Sequence, residues 1–229
     1  MKKLTVSMTR PEYLLGWIYL PVQLLVMPAL LVLVNHLLGY PFSESQVNFI
    51  FFCVNFLCTT VIFHKYLWNS VKLTLRTPWR CIRSAVAGFV LYWVLNMAVG
   101  VLIQFAYPDF FNVNDDSIGQ LVQENARLIG FGTVLLVPVA EELLYRGLLF
   151  RSLYNRNRLA AYVISAAVFS ALHVVGYVGQ YEPLHLALCF LQYLPASLCL
   201  GWAYAQADSI FAPMLIHVCV NLIGILSMQ

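Results

Sequence analysis

The sequence predicts an all-α, polytopic transmembrane bundle of about seven spans, and three observations predict it. Hydrophobic residues fill 61% of the 229 positions and charged residues only 10%, with a mean hydropathy of +0.78. Soluble domains carry about 25% charged residues, so most of this apolar surface has to face lipid. Apolar stretches recur along the chain at about the 20 residues that a helix needs to cross hydrocarbon. No polar stretch reaches the roughly 50 residues of a separate soluble domain, so residues 1–229 read as one integral membrane domain.

The spans follow in order. The first covers about residues 14–39 and includes Pro21 and Pro28, which lipid-embedded helices tolerate. The second covers about 46–67 and the third about 84–107, ending at Tyr107-Pro108. The fourth, about 127–152, holds a Glu-Glu pair; the fifth, about 159–176, is short; the sixth and seventh cover about 183–206 and 210–228. Between the second and third, Leu67, Val71 and Leu75 recur at helical spacing, with Lys65, Lys72 and Arg76 on other faces. That pattern reads as an interfacial helix over 64–76, stopped by Pro78; an ordinary basic loop is the plainer alternative. The connection Pro108 to Asn125, with Asn112, Asn114, Asp115 and Asp116, reads as turn-rich and without structure of its own. No internal repeat marks two transporter halves.

Lysine and arginine set the orientation. With a cytoplasmic N-terminus, the inner connections carry Lys2, Lys3, Arg10, Lys65, Lys72, Arg76, Arg80, Arg83, Arg151, Arg156 and Arg158, and the outer ones only Arg127. The expected location is therefore a multi-pass protein of the plasma membrane. The basic residues form no patch interleaved with an aromatic platform, which excludes nucleic acid as a partner. The six cysteines (Cys53, Cys58, Cys81, Cys189, Cys199, Cys219) form no C-x-x-C pair and read as small hydrophobes rather than as disulfides or metal ligands. The first apolar run is too long for a cleaved signal peptide.

Chemistry concentrates in Pro138 to Arg146, where three ionisable groups interrupt an apolar span. An unpaired charge at that depth costs a few kcal/mol, so it marks a functional candidate. Glu142 and Arg146, at i,i+4, can neutralise each other. Glu141 lies about 100° away round the helix and is free to face a cavity as an acid or base. An ion pair that only locks helices together would account for Glu142 and Arg146 but not for Glu141. Pro138 lacks an N–H, strands the Val134 carbonyl and predicts a kink just before the site.

Position separates the histidines. His36, His64 and His185 fall near span ends, where polar tips reach the headgroups. His173 and His217 lie inside apolar spans, with Phe169 and Asn221 four residues away from them. One buried histidine is more often a satisfied interhelical hydrogen bond than a catalyst. Two, with an unexplained glutamate on a third helix, shift the balance. If they converge, a carboxylate and an imidazole can activate a water, and a second imidazole with an amide can donate to an oxyanion. The same side chains are a plausible zinc set.

These stretches resemble the CPBP family of intramembrane proteases, the CAAX-processing and bacteriocin-processing enzymes that include the type II CAAX prenyl endopeptidases. Its E-E-x-x-x-R, F-x-x-x-H and H-x-x-x-N motifs match Glu141, Glu142 and Arg146, then Phe169 and His173, then His217 and Asn221, in that order. The resemblance covers about residues 127–225, the expected catalytic core. It implies Glu141 as general base acting with His173 on water, His217 and Asn221 as oxyanion donors, and Glu142, Arg146 and Phe169 as groups that shape the site. It implies either a metalloprotease or a metal-free glutamate mechanism; should zinc bind, Glu141, His173 and His217 are the candidate ligands. The implied partners are a peptide or lipidated protein substrate and membrane lipid. Two rival readings remain: a small proton- or ion-coupled transporter, and a non-catalytic membrane scaffold that binds peptide.

Overall fold

A computed structural model describes residues 3–228. Lys2, one of the expected inner positives, lies outside the described residues. Eight helices carry the fold: α1 (Arg10–Leu37), α2 (Glu44–Ile62), α3 (His64–Arg76), α4 (Pro78–Ala106), α5 (Val113–Tyr154), α6 (Arg158–Leu172), α7 (Pro183–Ala207) and α8 (Phe211–Ser227). Five of them, α1, α2, α4, α5 and α7, are long and apolar enough to cross a membrane, while α6 and α8 are apolar but shorter. The chain is an integral membrane protein built as an all-α bundle.

Local chemistry explains the boundaries. Thr9 and Glu12 form a capping box that starts α1, and Pro78 opens α4 at its first turn. The α1 helix passes its prolines through a widened π turn at Val22–Val26 rather than breaking.

One sequence expectation needs correction. Residues 113–125 are helical: Asn112 accepts from the amides of Asn114 and Asp115, and Asp115 and Asp116 sit at the positive end of the dipole. Cap and acidic first turn outweigh the turn-rich composition. The helical backbone is interrupted at Asn125, whose φ/ψ of −153°/84° is non-helical.

The expected helix over 64–76 forms as α3, with Tyr66 and Ser70 buried and Leu75 exposed. The Tyr66 backbone N–H donates to Glu12 at 2.7 Å and its hydroxyl meets that of Tyr204 at 2.9 Å. Burial pushes the Tyr66 hydroxyl up to about 12, so it keeps the proton that this bond uses. Polar anchoring, which a hydrophobic stripe does not reveal, chose the face.

The outer helices turn apolar residues outward, for example Val86, Val90, Val94, Met97 and Val101 along α4. The inverse holds for Leu143–Phe150 of α5, where all eight residues are buried. Around that segment, α7 packs on α4 and α6, α8 on α4 and α7, and α2 on α5. Close approaches depend on small residues. A Cβ at Gly88 would stand 2.7 Å from the tip of the Ile216 side chain, so its absence eases the close approach of α4 and α8. At one end of the bundle, Leu4 donates to Asn155 at 3.0 Å and Thr5 to Asp208 at 2.9 and 2.7 Å. Arg80 donates to the Gln206 carbonyl at 2.7 Å there as well. The segments expected on the inner side therefore gather at one end.

Candidate active site

The site begins with a register shift. Ahead of Pro138, residues Gly132–Leu136 form a π turn in which the Val137 amide reaches the Gly132 carbonyl, five residues back. In that register the carbonyl opposite Pro138 is Thr133, not the Val134 that α-helical spacing predicts. Asn221 on α8 supplies the missing donor: its Nδ2 reaches the Thr133 oxygen at 2.8 Å. Gly132 lets this wider turn lie against the Phe52 ring of α2.

One turn later the two glutamates diverge. Glu142 is fully buried, and one of its oxygens accepts from Arg146 Nη1 at 3.1 Å and from His217 Nδ1 at 2.9 Å. Arg146, also fully buried, donates through Nη2 to the Ser197 carbonyl at 3.3 Å and hydroxyl at 3.2 Å. Its guanidinium lies over the Phe169 ring, 4.4 Å from the centroid. Glu142, Arg146, His217, Ser197 and Phe169 thus tie α5, α6, α7 and α8 together. In so dry a place the charges persist because each has an opposite partner and hydrogen bonds.

Glu141 has no such partner. Its side chain is 22% exposed, its Oε2 makes no hydrogen bond, and His217 Nε2 stands 3.9 Å away. With Nδ1 on Glu142, the other ring nitrogen of His217 is the one that faces Glu141.

His173 stands apart from this pair. It follows the last residue of α6, its Nδ1 lies 2.8 Å from the Phe169 carbonyl, and its ring stacks on Tyr193 with centroids 4.2 Å apart. Phe169 joins it to the centre, with its ring 4.5 Å from His173 and 6.1 Å from His217. Of the sequence candidates, Glu141, Glu142, Arg146, Phe169 and His217 are brought together. His173 reaches the cluster through Phe169, and Asn221 is turned onto the π turn. Among the described residues no three His, Cys, Asp or Glu side chains are grouped to hold a metal ion, so Glu141, His173 and His217 do not form a zinc set in this arrangement.

Ser197 and Thr133 escaped sequence reasoning, since both contribute a backbone carbonyl. For Thr133 the signal was Pro138, read one residue out of register.

With this geometry in view, comparison with known proteins is informative. The family model of the type II CAAX prenyl endopeptidase Rce1-like proteins matches residues 123–223, from the bend of α5 to α8. The match covers less than half of the chain, and over that stretch the chain is similar to the Rce1-like proteins. Every member of the cluster above lies inside the Rce1-like segment.

Three curated proteins extend the likeness. The UPF0177 protein YxdF of Lactococcus lactis subsp. lactis (strain IL1403) is 30% identical over 90 residues, 39% of this chain and 44% of that protein. The UPF0177 protein YvdC of the same strain is 22% identical over 205 residues, 88% of this chain and 74% of that protein. The uncharacterized protein YyaK of Bacillus subtilis (strain 168) is 26% identical over 121 residues, 47% and 39% of the two chains. The chain thus covers less than half the length of the first and third of these relatives. No solved structure matches it.

Proposed function

We propose that this protein is an intramembrane endopeptidase that hydrolyses a peptide bond in a membrane-associated or lipidated peptide or protein, near the cytoplasmic face. The observation that carries the proposal is Glu141, a partly exposed carboxylate with an unpartnered oxygen facing an imidazole, inside the Rce1-like segment.

The chemistry follows from those groups. Glu141 takes a proton from a water held beside it, with His173 assisting through the nitrogen that its Phe169 bond leaves free. The oxygen adds to the scissile carbonyl carbon, and the tetrahedral oxyanion accepts from His217 Nε2–H and Asn221. His217 donates there as the imidazolium, which the Glu142 carboxylate balances, and Asn221 uses the amide hydrogen not spent on Thr133. Collapse breaks the C–N bond, and Glu141 returns the proton to the leaving nitrogen. The buried Glu142–Arg146 pair holds His217 in place and takes no proton. A cytoplasmic N-terminus in the plasma membrane would put the hairpin between α5 and α6 on the substrate side.

Detergent-purified wild type beside Glu141→Gln and His173→Ala, given a quenched lipopeptide library with and without chelator, tests this reading. Loss of about 10²–10⁴-fold in Glu141→Gln, with wild-type cleavage indifferent to chelator, is expected. Wild-type rates in Glu141→Gln would overturn it. Cleavage abolished by chelator and restored by zinc would replace it with a metal-assisted route.

A further inference from the structure

His173 lies beyond the last turn of α6, so its ring needs support from outside its own helix. Two contacts provide it. The Phe169 carbonyl holds Nδ1 at 2.8 Å, and the face of the ring lies on Tyr193 of α7 at 4.2 Å, with the planes 29° apart. Aromatic pairs more commonly sit about 4.5–7 Å apart, so this stack is close.

Tyr193 is held in turn at its far end. Its hydroxyl lies 2.9 Å from Asp115 Oδ1 and 3.2 Å from Asn112 Oδ1, and it accepts from Asn114 Nδ2 at 3.0 Å. Asn112 is itself fixed by donating to Gln192 at 2.9 Å. A half-buried tyrosine needs at most one partner for its hydroxyl; this one has three, all from the start of α5. The single phenolic proton favours the carboxylate, where a charge-assisted bond is stronger than one to an amide. The three partners belong to the stretch whose composition reads as a loop and which Asn112 caps into a helix.

We propose that Tyr193, anchored by Asp115 and its neighbours, is a positioning residue for His173. It sets the plane of the imidazole while the Phe169 carbonyl sets its rotation, and together they leave Nε2 as the nitrogen presented to water or peptide. The proposal rests on His173 taking part in the reaction. Productive sites hold their groups to within about 0.5 Å, and a misplacement of about 1 Å can cost about 10²-fold in rate.

The test uses the full chain in detergent with Tyr193→Phe, Tyr193→Ala, His173→Ala and His173→Gln. Cleavage of the lipopeptide gives kcat and KM. Nitrogen NMR of histidine-labelled protein gives the ring resonances of His173, identified by their loss in His173→Gln. Tyr193→Ala should lower kcat by about 10²-fold at unchanged KM and move the His173 resonances. Tyr193→Phe keeps the stack but loses the tether; it should lower kcat by about fivefold, the worth of one hydrogen bond, and move the resonances less.

Wild-type kcat and unmoved resonances in both variants, with His173→Ala inactive, would overturn the proposal and leave the protease reading standing. If no form cleaves, the protease reading fails. The resonances then decide alone, and no movement on Tyr193→Ala sinks the positioning role. Should Tyr193→Ala not fold, Tyr193→Phe carries the decision by the same two readouts.

Discussion

Glu141 and Glu142 are neighbours in the chain with identical side chains, and the fold treats them oppositely. Glu142 is sealed, with Arg146 and His217 both on one oxygen, while Glu141 is partly open and has neither donor within hydrogen-bond reach. About 100° of helix rotation accounts for the difference: one carboxylate meets Arg146 a turn later and the other meets a gap. A buried carboxylate held by a guanidinium and an imidazole resists change, so it holds a structure. One whose partners are missing can accept a proton. The pair therefore separates stability from chemistry along a single peptide bond.

The largest expected effect breaks the chemical half. Glu141→Gln should lower cleavage by about 10²–10⁴-fold, or about 3–5 kcal/mol of barrier, while thermal unfolding in detergent stays near wild type because no hydrogen bond is lost. A large fall in unfolding temperature would erase the distinction between the two glutamates. The mirror experiment is Arg146→Ala. It leaves Glu142 buried beside His217 without its main counter-charge and should destabilise the fold by about 3–5 kcal/mol, read by denaturant titration. If Arg146→Ala unfolded like wild type, the cluster would not be the structural half.

The sequence made the polar side of this site legible and left the backbone side hidden. Charges within apolar spans are rare enough that Glu141, Glu142, Arg146, His173 and His217 stand out on inspection, and the i,i+4 spacing predicts the Glu142–Arg146 pair that forms. Partner choice across helices was less readable. His217 bonds Glu142 directly, whereas His173 stays one aromatic ring away. Spacing along the sequence assumes straight α-helices, and the π turns at Gly132–Leu136 and Leu143–Phe150 change both rotation and rise. The helix at Val113 was hidden for another reason: Asn112, Asn114, Asp115 and Asp116 favour turns and caps alike, and only a capped apolar partner such as buried Val113 decides between them.

A smaller effect sharpens the comparison at the π turn. Asn221→Ala removes the donor to the Thr133 carbonyl, and a buried oxygen left without a partner costs about 1–3 kcal/mol. Cleavage should fall as well, because the same amide is the proposed oxyanion donor. Asn221→Asp keeps the size but offers the Thr133 oxygen an acceptor where it needs a donor, so its stability should be no better than that of Asn221→Ala. If Asn221→Ala lost activity at full stability, the amide would belong wholly with Glu141.

The smallest effect concerns Ser197. Its hydroxyl accepts from Arg146 at 3.2 Å and donates to the Ser165 carbonyl at 3.3 Å, but its own carbonyl also accepts from the same guanidinium. Ser197→Ala deletes the hydroxyl and keeps the carbonyl, so Arg146 retains a partner on α7. The loss should be about 1 kcal/mol, visible as a modest fall in unfolding midpoint, with kcat within about twofold of wild type. A loss as large as that of Arg146→Ala would mean that the hydroxyl, rather than the carbonyl, holds the charge. The sealed half of the site would then depend on a side chain that variation can remove, instead of on backbone that it cannot.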